Sequence, residues 1–307
     1  MKPQYLYIKI TLYYMMIINK IISITFVLLF ISPSLSAFNP FFSLNSSNEG
    51  DYIEYWAILF AVGVYKNNPD KDRPSMLTAV DNLYDTLISH GWITSHIHKI
   101  KGVQATGSRL IQEFLWLYQN TDRDSLVLIY LTTHGSPIYD ANGNPLDLPP
   151  RDEKDGVDEA LIMYDGFENP YAIIWDDLLN LLLSLIRCRG VCVIVDSCFS
   201  GGFNDPPYRL NERVPQYSFT QEMIGELGAG SRVVLMSTEE DTVSYGSIFS
   251  NYLINGFNGA ADENGNRDGI NSAEESFYYA KEKVDSLGWQ HPTILDLYPA
   301  EFPVTIS

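Results

Sequence analysis

The sequence predicts an α/β protein: a mostly parallel central sheet with helices on both faces. Three observations carry that reading. Unbroken apolar runs recur along the chain, at "YWAILFAVGVY" (55–65), "DSLVLIYLTTHG" (124–135), "GVCVIVDSC" (190–198) and "SRVVLMSTE" (231–239). Continuous rather than alternating apolar residues mark strands buried on both faces. The segments between these runs carry apolar residues at helical spacing, and helices alternating with buried strands predict parallel pairing.

Taken in order, the strand at 55–65 precedes a helix over 76–92 ("MLTAVDNLYDTLISHGW") that stops at Gly91, where a left-handed residue ends helices cheaply. A short strand is expected at 96–102. The helix at 106–120 opens on Thr106, a residue that caps orphan N–H groups. After the strand at 124–135 comes a long loop, 136–157, rich in Pro, Gly and acids. The helix at 175–188 ("WDDLLNLLLSLIRC") leads to the strand at 190–198, a second long loop at 201–219 and the strand at 231–239. A helix over 272–284 and an extended finishing strand within 290–306 close the chain. Long structureless loops are uncommon in compact domains unless they serve a site, and both loops follow the ends of buried strands. They are expected to cap one edge of the sheet.

The chain has 307 residues, 46% of them apolar and 19% charged, with a formal net charge of −18. A substantial core is affordable and global disorder is excluded. So acidic a chain is a poor nucleic-acid binder, because that affinity comes from Lys and Arg at phosphates; it suits metal cations or basic peptides. Residues 1–36 combine Lys2, Lys9 and Lys20 with the apolar run Ile21–Ile31 and the small residues Ser34, Ser36 and Ala37. That is the pattern of a signal peptide, or of an N-terminal anchor if it stays uncleaved, and it implies export. Membrane association follows only from the uncleaved form. Residues 37–52 read as a linker and 53–307 as the folded domain, taken as a monomer. Cys188 and Cys192 ("CRGVC") either pair or remain buried thiols; the spacing is not C-x-x-C.

Two strand ends carry the chemistry. One finishes in Thr132-Thr133-His134-Gly135, the other in Asp196-Ser197-Cys198. If the strands are parallel neighbours, His134 and Cys198 emerge at the same edge, where open α/β sheets place their sites. A cysteine nucleophile needs an imidazole to poise the thiol and to protonate a leaving amine. Gly135 leaves a bare backbone N–H that, with the amide of Cys198, is placed to hold an oxyanion. The competing serine-hydrolase elbow, G-x-S-x-G, lacks its first glycine around Ser200.

These elements, with "DEKDGVDEALIMYD" and "WDDLL" between them, resemble the caspase-like cysteine peptidases, and above all metacaspases and their prokaryotic relatives, over about residues 54–255. The resemblance implies a caspase–hemoglobinase α/β/α sandwich and a cysteine endopeptidase. In it Cys198 is the nucleophile, His134 the general acid/base, and Asp196, Thr132 and Asp81 line the S1 pocket; Asn82 competes with Asp81 for that last role. An acidic pocket selects Lys or Arg at P1. From the residues alone Asp196 is equally a strand-end cap. The resemblance also implies a Ca²⁺ site at Asp158, Asp176, Asp177 and Asp205, although Asp176-Asp177 reads by itself as an acidic helix start. A legumain-like peptidase with Asn at P1 and an inert Ca²⁺-binding module of the same fold are the alternatives. Arg209, Arg213 and Arg232 flank the loop after Cys198 and offer self-cleavage sites.

A second calcium signal lies in "DENGNRDGINSAEESF" (262–277). With Asn264 at position 1, Asn266 falls at 3, Asp268 at 5, Gly269 at the turn and Glu275 at 12 of an EF-hand-like loop over 262–275. Asn264 lacks the usual charge, which Asp262 is available to supply. Asn271 stands where an apolar residue is usual.

Overall fold

The computed structural model describes residues 53–140, 143–148, 156–169, 171–199, 231–237, 247–288 and 290–306, with Cys198 and Phe199 described by backbone alone. Residues 1–36 and 37–52, expected as signal peptide and linker, the loop 201–219 and Asp205 lie outside these residues. The chain divides into two units, Met1–Tyr52 with Tyr139–Asn144, and Ile53–Ile138 with Pro145–Ser307. What is described of the first is a tight turn: Asp140 N–H donates to the Asn144 carbonyl and Asn144 N–H to Asp140 Oδ1, both at 2.9 Å.

The second unit carries the sheet. Its elements are β1 (Glu54–Ala61), α1 (Pro74–Ser89), β2 (Ile97–Lys101), α2 (Gly107–Asn120), β3 (Ser125–Pro137), β4 (Glu159–Ile162), β5 (Ile173–Trp175), α3 (Asp176–Leu185) and β6 (Gly190–Phe199). There follow β7 (Arg232–Met236), α4 (Ile248–Asn255), a short α5 (Ala261–Asn264), β8 (Ile270–Ser272), α6 (Ala273–Asp285), β9 (Thr293–Asp296) and β10 (Pro303–Ile306). Strand order is β2-β1-β3-β6-β7-β9, with β4 and β5 continuing from the end of β3. The pairs among β2, β1, β3, β6 and β7 are parallel, and β9 is antiparallel. The predicted mostly parallel sheet is therefore present.

Alternation along the buried strands sends successive side chains to opposite faces. Ala57, Leu59, Leu126, Leu128, Tyr130, Ile194, Val233 and Leu235 share one cluster with Leu83 and Leu87 of α1, Phe249 and Leu253 of α4 and Phe277 of α6. Ile58, Phe60, Val127, Ile129, Val193 and Val234, of the other parity, are as deeply buried, as are Leu110 and Phe114 of α2 and Leu178 and Leu182 of α3. Each such side chain contributes about 2 kcal/mol of transfer free energy. Local signals set the helix ends: Pro74 opens α1, the Thr106 hydroxyl accepts the Arg109 N–H at the start of α2, and Ser272 accepts the Glu275 N–H at the start of α6.

Three expectations change. The first strand ends at Ala61, because Val64 N–H donates to the Val62 carbonyl at 2.7 Å and turns the chain about Gly63 (φ 62°). A side chain at Gly63 would meet Leu77 and the Arg73 carbonyl. The acidic stretch after β3 flanks a small antiparallel annex, β4 and β5, in which Gly135 pairs with Leu161. The finishing strand is two strands: β9 joins the main sheet, while β10 pairs with β8. Cys188 and Cys192 are free thiols, and burial pushes the Cys188 thiol up to about 11. Among the described residues no helix is long and apolar enough to cross a membrane.

Candidate active site

Parallel pairing of β3 with β6 sets His134 opposite Cys198, Thr132 opposite Asp196 and Gly135 opposite Phe199. Neighbouring strands lie about 4.8 Å apart, so the two strand ends bring the predicted dyad together through the backbone. Thr132, His134 and Asp196 are all buried.

The imidazole of His134 is held from three sides. Its Nε2 lies 2.8 Å from the Lys71 carbonyl oxygen. A carbonyl can only accept, so Nε2 carries the proton and Nδ1 keeps its lone pair. Nδ1 is buried without a hydrogen-bond partner among the described residues. The Tyr65 ring stacks on the imidazole at a centroid distance of 5.0 Å and an angle of 28°, and Phe167 meets it edge-on at 5.9 Å. Burial, assisted by the charges of Arg73 and Lys71 and opposed by the Lys71 carbonyl, lowers the His134 pKa to about 4. A neutral imidazole with a free Nδ1 is what a general base at neutral pH requires.

The Gly63 turn is what delivers these partners. Arg73 N–H closes the loop onto the Gly63 carbonyl at 2.8 Å, and Tyr65 N–H donates to Asp72 Oδ1 at 2.8 Å. The segment 63–73 thus folds back under the end of β3, carrying both the Tyr65 ring and the Lys71 carbonyl. Motif reading missed Tyr65, Lys71 and Phe167, since none lies in the strand-end motifs at 132–135 and 196–198. The available signal was Gly63 directly after an apolar run, which marks where the chain turns back.

Asp196 accepts a hydrogen bond from the Ser250 hydroxyl of α4, and Ser250 Oγ lies 2.7 Å from the Tyr130 hydroxyl. Ser250 has one proton and gives it to the carboxylate, so Tyr130 donates to Ser250. Burial and the charge of Asp196 raise the Tyr130 phenol far above its ordinary value, which keeps it a donor. Asp81 does not join this group. Its carboxylate holds Lys99 Nζ at 2.8 Å and Lys101 Nζ at 2.6 Å on the edge strand β2, and those ammonium groups lower its pKa. Asn82 is exposed on the same helix. Arg232 is buried and donates to Asn180 Oδ1 at 2.8 Å, which removes it as a self-cleavage site.

Carboxylate oxygens of Asp158, Asp176 and Asp177 lie within 4.8 Å of one another, and Asp158 and Asp176 are fully buried. Asp158 also accepts the Leu148 N–H. Three close carboxylates, two of them buried, are a donor set suited to a hard cation. In the second loop the group that converges is Asp262, Asp268 and Glu275, again within 4.8 Å. Asn264 turns away and donates to the Ala260 carbonyl at 2.7 Å. Asn266 serves within the loop, its N–H to Glu275 Oε1 at 3.1 Å and its amide to Asp268 Oδ2 at 3.2 Å. Asp262 joins this group from the short helix α5, buried, where its Oδ1 accepts the Gly269 N–H at 3.2 Å. Gly269 makes the expected sharp turn at φ 87°.

Comparison with known proteins agrees with this architecture. No curated protein matches the chain in sequence. Among solved structures, protein GSU0716 from Geobacter sulfurreducens superposes with a TM-score of 0.55 at 16% identity, covering 82% of this chain and 99% of that one. Caspase-1 from Spodoptera frugiperda gives a TM-score of 0.50 at 14% identity, covering 83% of this chain and 90% of its own. At these identities the likeness is one of fold. The profile of the caspase domain, peptidase family C14, matches residues 54–296, so the strand-end His134 and Cys198 stand in a chain that belongs to the caspase-like cysteine peptidase family.

Proposed function

We propose that this protein is an exported cysteine endopeptidase that cleaves after Lys or Arg and binds calcium. The observation that carries the catalytic part is the register of β3 on β6, which sets His134 opposite Cys198. In the proposed reaction Nδ1 of His134 takes the Cys198 thiol proton and the thiolate attacks the scissile carbonyl. The amides of Cys198 and Gly135 donate to the oxyanion. The imidazolium then protonates the leaving amine, and water hydrolyses the thioester with His134 again as base. Lys71 keeps the proton off Nδ1 between turnovers.

The preference for a basic P1 residue rests on Asp196, a buried carboxylate two residues before the nucleophile, whose charge favours a guanidinium or ammonium partner. Export rests on the basic and apolar segment at 1–36. Asp158, Asp176 and Asp177 would hold the first calcium ion, and Asp262, Asp268 and Glu275 the second. Bound there, the cation supplies the positive charge that these carboxylates need. Asp158 immediately precedes β4, which pairs with Gly135, and Asp176 follows β5. The first trio therefore pins the annex that borders the oxyanion-binding backbone.

The test is turnover of fluorogenic peptides bearing Arg, Asn or Asp at P1, with and without Ca²⁺, beside Cys198→Ala. Arg-selective cleavage lost in Cys198→Ala is expected. Absence of turnover under every condition overturns the peptidase reading, and Asn- or Asp-selective cleavage overturns the assignment of Asp196.

A further inference from the structure

The pairing of β1 with β3 ends at Ala61 opposite Thr132, with one more bond from Val62 N–H to the Thr132 carbonyl at 3.0 Å. Beyond it the next N–H on that side of β3, that of His134, has lost its strand partner. The Tyr65 hydroxyl takes it, at 3.0 Å. The same oxygen lies 2.9 Å from Thr133 Oγ1, whose own proton goes to the Ile162 carbonyl on β4. Thr133 therefore accepts from Tyr65, and the order of donation is His134 N–H to Tyr65, Tyr65 to Thr133, Thr133 to Ile162. Tyr65 is almost fully buried, and its ring is the one stacked on the imidazole.

From this arrangement we infer that Tyr65 is a positioning residue for the catalytic base: its hydroxyl substitutes for the missing strand, and its ring, stacked on the imidazole, fixes the plane of His134. The inference rests on the reading of His134 as the base. One side chain sets both the main-chain height of His134 and the tilt of its ring. A buried N–H left unpaired is costly, so the hydroxyl is needed as well as the ring. The bond from Thr133 to Ile162 extends the constraint into the annex beside Gly135.

The test uses Tyr65→Phe, which keeps the ring and removes the hydroxyl, and Thr133→Val, which leaves Tyr65 intact but removes its acceptor. In the full chain, kcat for an Arg-P1 peptide is expected to fall about tenfold in Tyr65→Phe, with KM within about twofold. Thr133→Val should fall in the same direction but by less. A second readout needs no activity: the His134 ring titration followed by NMR in a Cys198→Ala background, assigned with His134→Gln. Water admitted beside the loosened ring relieves the burial that depresses the base. The midpoint should therefore rise by about one unit in Tyr65→Phe. An unchanged midpoint with unchanged kcat in both variants overturns the positioning role. A wild-type protein without turnover overturns the peptidase reading, while the titration still decides the role of Tyr65.

Discussion

His134 donates through Nε2 to the carbonyl oxygen of Lys71, 63 residues earlier in the chain. Main-chain geometry on the Gly63–Arg73 loop thus selects the tautomer of the His134 ring. A main-chain acceptor cannot be titrated or exchanged by mutation of Lys71, so the device is insensitive to that side chain.

The first prediction concerns pH. The folded pKa of His134, about 4, lies below the ordinary value of 6.5 because the ring is buried. The unfolded chain therefore binds this proton first as pH falls. Stability is fully present above about 6.5 and is lost as pH drops toward 4, by about 3 kcal/mol for this group. His134→Gln lacks that loss. Urea unfolding should show the variant gaining on the wild type by about that amount between pH 7 and pH 4; a constant difference would contradict the buried, neutral ring.

A second prediction follows from the hydrogen-bonded hydroxyls under Asp196. Ser250→Ala removes the donor that orients the carboxylate but leaves its charge. Asp196→Asn removes the charge. If Asp196 receives the P1 side chain, Ser250→Ala should raise KM for an Arg-P1 peptide by about tenfold, and Asp196→Asn should lower kcat/KM by about a hundredfold or more. Labelling of Cys198 by iodoacetamide should change little in either variant. Equal losses in labelling and in cleavage would mean that both changes disturb the nucleophile instead.

How much of this was legible in the sequence depends on the kind of contact. The β3–β6 pairing could be read because Ile129, Val193 and their neighbours are continuously apolar, which only a doubly covered strand requires. The register that sets His134 opposite Cys198 followed from where those runs stop. The role of Tyr65 was hidden, because it depends on a turn at Gly63 that returns the chain beneath a strand not yet met in sequence order. Asp81 is a different case. Its helix was foreseen, but the pairing of its carboxylate with Lys99 and Lys101 depends on β2, which lies two elements further along the chain. At the C-terminal loop, spacing counts residues, whereas the short helix α5 decides that Asp262 rather than Asn264 converges with Asp268 and Glu275.

Calcium provides the third prediction. If both acidic trios take the ion, millimolar Ca²⁺ should raise the melting temperature, and EDTA should reverse the gain. Glu275→Gln should abolish the part due to the C-terminal loop without changing kcat. Asp176→Asn should abolish the remainder and lower kcat, because Asp176 adjoins the annex paired with Gly135. An unchanged melting temperature in the wild type over the whole Ca²⁺ titration would remove both sites.

The fourth prediction turns on Glu274, in the first turn of α6, where the signs run against those of His134. Its Oε2 accepts the Phe302 N–H at 2.9 Å, while Oε1 is buried with no hydrogen-bond partner among the described residues. Burial raises its pKa to about 6, with Asp296 and Glu301 adding repulsion and the Phe302 N–H opposing. The folded state thus favours the protonated acid. That contribution is present below the unfolded value of about 4.5 and is lost as pH rises through 6, leaving a penalty of about 1–2 kcal/mol at neutral pH. Glu274→Gln keeps the acceptor for Phe302 and discards the charge. It should raise the melting temperature by about 3–5 °C at pH 7.5 and by almost nothing at pH 4.5. A gain of equal size at both pH values would show that amide packing, not the buried charge, is responsible. Because His134 costs stability as pH falls through the range in which Glu274 recovers it, Glu274→Gln should also steepen the net acid loss between pH 6.5 and 4.5.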